Sequence, residues 1–331
     1  MTAPFSVAMV VLLAGLVLMP LFWLTVTSLT DDAKHFTLAH YRHFLDDQSF
    51  VKPLVTTLWT SAAVGVLCVL AAAPMGWLVA RTQMPFKRTF RTLILASFVT
   101  PPFLGGFAWV LLGGPNAGLV NQWYYALFGL KPFEAQPLIN IFSAWGMVFV
   151  MALYTFPYVF TFVANSLDVI PSDLEEASSI LGAPAWRTAV HITLPLVLPA
   201  LLAGFLVAFL QSMTLFGVPA ILALPAGIDT MTTKIWSLFQ FPPQLGLAAA
   251  ASLPLLVVTV VLLRVAHDGP AGLGIVSDGD LRGWVAREGG SLDAPARAAA
   301  RIPARKPHVV KAIIGEPPPD MTKHACRPTG E

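Results

Sequence analysis

The residues of this sequence that are best suited to chemistry lie in one short polar stretch, residues 175–195, which reads EEASSILGAPAWRTAVHITLP. It combines two adjacent carboxylates with an arginine and a histidine, whereas the flanking residues 154–165 and 196–211 are almost wholly apolar. From the residues alone, two interpretations are open. The stretch is either a well-capped connection between two apolar segments or a surface on which another protein docks.

The local signals in this stretch predict a helix, a turn and a second helix. Ser172 followed by Glu175 fits a capping box, and acidic residues are favourable at a helix N-terminus. Gly182 supplies the permissive position at the end of that helix, and Pro184 suits the first turn of the next one. Pro195 then marks the return to apolar sequence.

Several kinds of catalytic or metal site have no support in the sequence. No G-x-x-x-x-G-K-[ST] phosphate loop occurs, so the chain carries no Walker-type nucleotide site. Cys68 and Cys326 have no spacing typical of a metal site or a disulfide framework. His35, His40 and His43 cluster, but their spacing is irregular and solvated histidines near an apolar segment are common. We therefore expect no cofactor, no metal and no enzymatic activity.

The composition is that of an integral membrane protein. Hydrophobic residues make up 56% of the chain and charged residues 11%, against roughly 25% charged residues in soluble domains. Six long runs lack Lys, Arg, Asp and Glu, and each is long enough to cross a ~30 Å hydrocarbon core as a helix. The runs are residues 5–29, 54–80, 93–112, 138–163, 196–223 and 245–263. The first is interpreted as an anchor rather than a cleaved signal peptide, because no basic residue precedes it.

The charges beside the spans predict the orientation. Arg81, Lys87, Arg88 and Arg91 follow the second span with no acidic residue among them, so the positive-inside rule assigns this loop to the cytoplasm. Six spans then place the 175–195 stretch and both termini inside. No span carries a charged residue at mid-membrane, where an ion-coupled carrier would usually keep its relay. The energy for any transport must therefore come from another protein.

The 175–195 stretch resembles the cytoplasmic signature of permease subunits of binding-protein-dependent ABC importers. That signature reads Glu-Ala-Ala, three residues, Gly, nine residues, then Ile, any residue, Leu-Pro. The matching positions are Glu176, Ala177, Gly182, Ile192, Leu194 and Pro195. Ser178 replaces the second alanine, a change from one small residue to another.

The resemblance implies an all-α, six-helix type I permease domain in which residues 165–195 form the loop that couples to an ATPase. The positions it assigns to coupling are Glu175, Glu176, Ala177, Ser178, Gly182, Ile192, Leu194 and Pro195. In this family the loop docks on the ATPase, so ATP hydrolysis is expected on a partner dimer. A small-residue face permits the close approach that such docking requires.

Weaker similarities indicate a subfamily. The strings LFGVPAIL at residues 215–222, GIDTMTTKIWSLFQ at 227–240 and GLAAAASLPLLVV at 246–258 are similar to the ferric-iron, polyamine and thiamine group, as is LLGGPNAGLVN at 111–121. The ferric-iron branch is the favoured prediction. Polyamine, thiamine and sulfate permeases share the architecture and remain alternatives.

Polar and helix-breaking residues inside the apolar spans are candidates for the translocation path or a gate. They are Gln211, Ser212, Thr214, Phe216 and Gly217, and a break in the fifth helix is expected at this point. The alternative is that the polar members hydrogen-bond neighbouring helices. Residues 101–106, which hold two prolines and two glycines, predict a kink in the third span with a packing role.

The sequence divides into three parts. Residues 1–34 hold the first span and the start of an outer loop, and residues 35–264 hold the core permease domain. Residues 265–331 form a tail rich in Pro, Ala and Arg, without the periodicity of a packed core, and we expect it to be disordered or aberrant. Its composition resembles coding sequence read out of frame, so a truncated, inactive half of a tandem permease is a further alternative.

The prediction from the sequence is a multi-pass permease subunit of the bacterial cytoplasmic (inner) membrane that forms half of a pathway. Its expected partners are an ATPase dimer, a second permease domain (a second copy or a sister subunit), an external solute-binding protein and the lipid bilayer. No contact with nucleic acid is expected. The competing class, an ATPase-independent secondary carrier, would be favoured by an inverted repeat or a buried ionisable residue, and the sequence has neither.

Overall fold

A computed structural model describes residues 2–31, 35–131, 134–170, 173–180 and 182–268. Residues 265–268 of the predicted disordered tail are instead the last residues of a helix, whereas residues 269–331 and the Ser172 half of the predicted capping box lie outside the described residues.

All the regular elements described are helical, as the sequence predicts. They are α1 (Thr2–Ser28), α2 (Ala39–Asp46), α3 (Gln48–Arg81), α4 (Lys87–Ala96), α5 (Pro102–Gly113), α6 (Leu119–Phe128), α7 (Ala144–Val169), α8 (Asp173–Ile180), α9 (Ala185–Thr188), α10 (Leu194–Thr214), α11 (Gly217–Leu222), α12 (Met231–Leu238) and α13 (Leu245–Asp268). A π-helical turn, Ala189–Thr193, joins α9 to α10.

Within these residues, five helical segments are long and apolar enough to cross a membrane, and the number is six if one bent pair of helices counts as a single span. The five include α1, α3, α7 and α13 and the segment from α9 through α10. The bent pair is Lys87–Val99 with Pro102–Gly113, at an angle of 101°. The bend arises because Thr100 and Pro101 each precede a proline, which drives both into extended backbone. The predicted kink is therefore a complete break.

The fourth predicted span begins six residues too early. Asn121 holds residue 139 in non-helical backbone, donating to the Ile139 carbonyl at 2.7 Å and accepting from its N–H at 3.0 Å. Ser143 then caps α7 by accepting from the Gly146 N–H at 3.0 Å. Leu138, Ile139, Ile141 and Phe142 therefore lie in non-helical backbone before α7, and of these four only Ile141 is fully buried.

The fifth predicted span also ends earlier than its apolar run. Helix α10 stops at Thr214, and α11 begins at Gly217, which confirms the expected break. Pro219 has no N–H to donate to the Leu215 carbonyl four residues before it. The Thr232 hydroxyl donates to that carbonyl instead, at 3.2 Å.

The core is a bundle of α3, α7 and α10, and glycines bring the three helices close together. A Cβ on Gly76 would lie 2.6 Å from Val163 Cγ1, and one on Gly204 would lie 3.1 Å from Val159 Cα. Helix α1 packs on α13 and otherwise leaves its apolar side chains exposed, as a lipid-facing helix does.

Candidate functional site

The predicted helix, turn and helix in the polar stretch are confirmed. Helix α8 ends at Ile180, and Gly182 has a φ of +79°, in the left-handed region that favours glycine. The Ala183 N–H donates to the Ser178 carbonyl at 3.1 Å, the 6→1 bond of a Schellman motif. Pro184 precedes α9 as its N-cap residue instead of lying in its first turn. We call residues 165–195 the coupling loop.

Ser178, the one departure from the family signature, bonds the two helices of the coupling loop to each other. Its Oγ lies 2.8 Å from Thr188 Oγ1, and either hydroxyl can donate. An alanine at this position could not make the bond. This contact therefore joins α8 to α9 within the loop.

A polar network connects the coupling loop to the end of α3. The Arg81 Nη2 donates to the Ile170 carbonyl at 2.7 Å, and Arg81 Nε lies 3.2 Å from Glu175 Oε1. The Nε–H is not aligned for a hydrogen bond, so that second contact is ionic. Thr193 Oγ1 donates to the same Glu175 oxygen at 2.7 Å. The side chains of Arg81 and Glu175 are only 11% and 20% exposed.

The far side of the loop presents side chains to the surroundings. Ile180 is 85% exposed and Trp186 is 62% exposed, and the Arg187 guanidinium lies over the Trp186 ring at 5.7 Å. Glu176 is exposed as well. A large apolar pair beside charged groups at the tip of a short rigid loop is suited to burial against another protein.

The link to the fifth span is a π-helical turn with a local cause. Pro195 cannot donate to the carbonyl of His191, so the regular ladder is interrupted there. The Leu194 N–H reaches back to the Ala189 carbonyl, the spacing of a π turn. Ile192, the remaining signature residue of this link, is half-buried within the turn. Helix therefore continues without a gap from the loop into α10.

The basic residues used to orient the chain lie beside the coupling loop. Arg91 Nη1 is 2.8 Å from Asp168 Oδ2, and its Nη2 donates to Asn165 Oδ1 at 2.9 Å. Arg81 contacts the loop directly. The positive cluster and the coupling loop thus share one end of the bundle.

The five candidate path residues separate onto different faces. Gln211 and Thr214 are exposed on α10, whereas Ser212 is buried and donates to the Ala208 carbonyl of its own helix at 2.7 Å. Phe216 is 38% exposed. Gly217 packs on α5, where a Cβ would lie 3.1 Å from Phe103 Cβ.

Tyr158 was missed in the sequence, although it belongs to this polar face. Gln211 Nε2 donates to its hydroxyl at 2.8 Å, and its ring meets Phe98 edge-on at 4.7 Å. A tyrosine within an apolar span is a recognisable signal, since its hydroxyl needs a partner there.

Of the three clustered histidines, His40 contacts the end of the first span, and the His43 ring meets the Phe50 ring edge-on. His40 Nε2 lies 3.3 Å from the Thr30 carbonyl, and Tyr41 Oη lies 2.7 Å from Ser28 Oγ. Across the described ranges, no group of three or more His, Cys, Asp or Glu residues could hold a metal ion.

Comparison with known proteins gives one family. Residues 72–267 match the family described as "Binding-protein-dependent transport system inner membrane component". The molybdenum transport system permease protein ModB of Mycobacterium tuberculosis is 30% identical over 220 residues, covering 66% of this chain and 80% of that protein. ModB of Escherichia coli K12 is 28% identical over 211 residues, covering 62% and 87%.

A solved structure supports the fold. A chain of a bacterial alginate ABC transporter, solved in complex with an alginate pentasaccharide-bound periplasmic protein, aligns with a TM-score of 0.64 at 16% identity. The match covers 80% of this chain and 92% of that one. At this identity the likeness concerns the fold alone.

These comparisons do not support the ferric-iron branch that the sequence strings favoured. The relatives in question are molybdenum transport permeases. The strings at 215–222 and 227–240 form α11 and α12, and Val218, Leu222 and Met231 in them are completely buried. Buried packing residues carry information about the fold and little about the solute.

Proposed function

Because the chain belongs to the family of inner-membrane components of binding-protein-dependent transport systems, we propose that it forms half of the pathway of an ABC importer for molybdate. A second permease domain supplies the other half, an external binding protein delivers the anion, and an ATPase dimer supplies the energy. The protein itself hydrolyses nothing.

The observation that carries the proposal is the coupling loop. Its two short helices are fixed to each other at Ser178 and to α3 at Arg81, while Ile180 and Trp186 stay exposed at the tip. Two large apolar side chains that are exposed beside charged groups are suited to burial against a partner. The ATPase is the partner that this family requires.

The basic residues at this end of the bundle support an orientation of the protein in the membrane. Arg81, Lys87, Arg88 and Arg91 lie on the side of the coupling loop, and basic residues favour the cytoplasm. We therefore assign the coupling loop and both termini to the cytoplasm of a bacterial inner membrane, the side on which ATP is available.

The choice of molybdate is supported by the names of the relatives and by the chemistry of the exposed face of α10. Molybdate is a small tetrahedral dianion, and uncharged donors can pass it along without trapping it. Gln211 and Thr214 of α10, together with Tyr158 of the neighbouring α7, form such a face, with no charged side chain among them.

Co-purification with the ATPase tests the coupling loop. Gly182 and Gly129 both have left-handed φ, +79° and +63°, and a Cβ on either would meet nothing within 4 Å. Gly182→Asp and Gly129→Asp therefore impose similar local strain on the permease at two different places. We expect only Gly182→Asp to lose the co-expressed ATPase. Equal loss, or equal retention, in both variants would contradict docking at this loop.

Transport tests the solute. In proteoliposomes containing the complex, uptake of radioactive molybdate should require internal-side ATP and the molybdate-loaded binding protein. Excess sulfate should not abolish it. Uptake of sulfate but not of molybdate would assign the importer to sulfate, equal uptake of both would contradict selection of molybdate, and uptake without ATP would favour a secondary carrier.

A further inference from the structure

Arg81 contacts the coupling loop at its beginning and in its first helix. The guanidinium donates to the Ile170 carbonyl, just after α7, and pairs with Glu175 in α8. Glu175 in turn accepts from Thr193, in the π turn that leads into α10. One side chain at the end of α3 therefore connects, directly or through one carboxylate, to three points spread along the loop.

We propose that Arg81 is the positioning residue of the coupling loop and that Glu175, not the signature glutamate Glu176, is its essential partner. This inference rests on the proposed function, since it assigns to the pair the transfer of movement between a docked ATPase and α3. The role differs from docking itself. Glu175 faces Arg81 at the end of α3, whereas the exposed tip of the loop, at Ile180 and Trp186, is left for the partner.

Polar contacts hold this junction more than packing does. A cavity of ≈ 270 Å³ lies beside the pair, lined by Trp77, Arg81, Glu175, Thr188 and Thr193 among others. A junction with an open space next to it has few van der Waals contacts that would keep the loop in place once the ionic contact is gone. The Ser178–Thr188 bond does not replace it, because both of its partners belong to the loop.

Helix α3 is suited to carry a displacement away from this junction. It spans Gln48–Arg81 and packs on both α7 and α10. Near its other end, Thr57 Oγ1 accepts from the Met231 N–H at 2.7 Å, at the start of α12. The same helix thus contacts the coupling loop at one end and the segment after the fifth span at the other.

The Arg91–Asp168 pair offers a matched control. It lies at the same end of the bundle, with an N–O separation of 2.8 Å, but it joins α4 to the last turn of α7, where the coupling loop begins, and it involves no residue of α8 or α9. Arg91→Gln and Arg81→Gln therefore remove the same kind of charge from the same membrane face. Only Arg81→Gln removes the contacts of the α3 end with Ile170 and Glu175.

The first measurement concerns the loop itself and needs no partner. A spin label on Ile180→Cys, in a Cys326→Ser background, reports the motion of α8 in detergent, since the remaining Cys68 is buried. We expect a clear rise in label mobility in Arg81→Gln and in Glu175→Gln, and no change in Arg91→Gln. Unchanged mobility in the first two variants would overturn the proposal. If Arg81→Gln does not fold, Glu175→Gln, which keeps the shape of the side chain, makes the same test.

The second measurement separates positioning from docking. In the complex with the ATPase, Arg81→Gln should still co-purify but lose about fivefold or more of the ATP hydrolysis stimulated by loaded binding protein, a loss typical of broken coupling between sites. The double variant Arg81→Gln/Glu175→Gln should lose less than the two single losses combined. Full stimulation in Arg81→Gln would refute the role in coupling. If wild type retains no ATPase, the proposed function fails, and the label mobilities still decide whether Arg81 holds the loop.

Discussion

Gly76 provides a direct test of the close packing between α3 and α7. A Cβ at this position would lie 2.6 Å from Val163 Cγ1 and 3.2 Å from Val163 Cβ. Val163 is 2% exposed and β-branched, so its χ1 cannot easily turn away within the helix. Gly76→Ala should therefore destabilise the bundle even though alanine is the better helix former.

The magnitude follows from two opposing terms. Replacing glycine by alanine inside a helix gains about 1 kcal/mol from propensity. Overpacking a tight core costs about 1–3 kcal/mol. The net change is a loss of up to about 2 kcal/mol, or a decrease of a few degrees in apparent Tm if about 1 kcal/mol corresponds to 2–4 °C in a domain of this size.

Cys68 makes the assay possible. It is completely buried, so a thiol-reactive fluorophore reports unfolding of the bundle when Cys326 is replaced by serine. All variants must be scanned at one heating rate, because unfolding of a membrane protein in detergent is governed by a rate. Gly15→Ala is the control, since a Cβ there meets nothing within 4 Å and should leave the Tm unchanged or slightly raised.

A second variant tests the cause. Val163→Ala alone should destabilise through lost packing, but combined with Gly76→Ala it gives the new methyl group room. We expect the double variant to be more stable than the sum of the two single effects. An apparent Tm of Gly76→Ala equal to that of Gly15→Ala, or strictly additive effects in the double variant, would refute the close-packing argument.

Three further predictions concern other parts of the chain. Gln211→Leu should lower molybdate uptake several-fold while the complex still forms, whereas Ser212→Ala, which changes a buried hydroxyl that bonds its own helix, should leave uptake near the wild-type rate. Hydrogen bonds from the Ser49 N–H and hydroxyl lower the pKa of Asp47 below 3.8. The ionised Asp47 therefore stabilises the N-terminus of α3 near neutral pH, and this stabilisation is lost as pH falls through the lowered pKa. The difference in apparent Tm between wild type and Asp47→Ala should disappear at low pH. Thr232→Val should leave a carbonyl without its donor at the break after α10 and lower the apparent Tm by an amount corresponding to about 1–3 kcal/mol.

The membrane-spanning helices could be predicted because the bilayer imposes a simple rule on the sequence. A run without charges has to be long enough to cross, and six such runs correspond to five helical segments and one bent pair. The residues at which the helices begin and end were harder to predict from the sequence. Residues 138–143 are apolar yet non-helical because of hydrogen bonds from Asn121, a residue in another element. Such contacts depend on the fold and leave no local signal.

In the candidate site, too, local features could be predicted from the sequence and contacts between distant residues could not. Gly182 and Pro184 give a strong local signal, so the turn between α8 and α9 was predictable. The contact of Glu175 with Arg81 was not, because the two residues are far apart in sequence and either one alone has an ordinary local explanation. Glu175 suited a capping box, and Arg81 suited the positive-inside rule.

The proposed passage of a dianion along a face formed by Gln211, Thr214 and Tyr158, with no cationic side chain among them, is physically reasonable if the work is divided between subunits. A buried Arg or Lys in the path would hold a dianion strongly and slow its release, and conduction requires binding that is weak enough to leave. Gln211 has a second amide N–H, and Tyr158 has a hydroxyl proton, with which to donate hydrogen bonds to oxyanion oxygens without that penalty, whereas the Thr214 hydroxyl donates to carbonyls of its own helix. Selectivity can then be provided by the binding protein before the solute enters the membrane. Under the proposed function, this division predicts that substitutions on the exposed face of α10 change the rate of uptake more than the choice of anion.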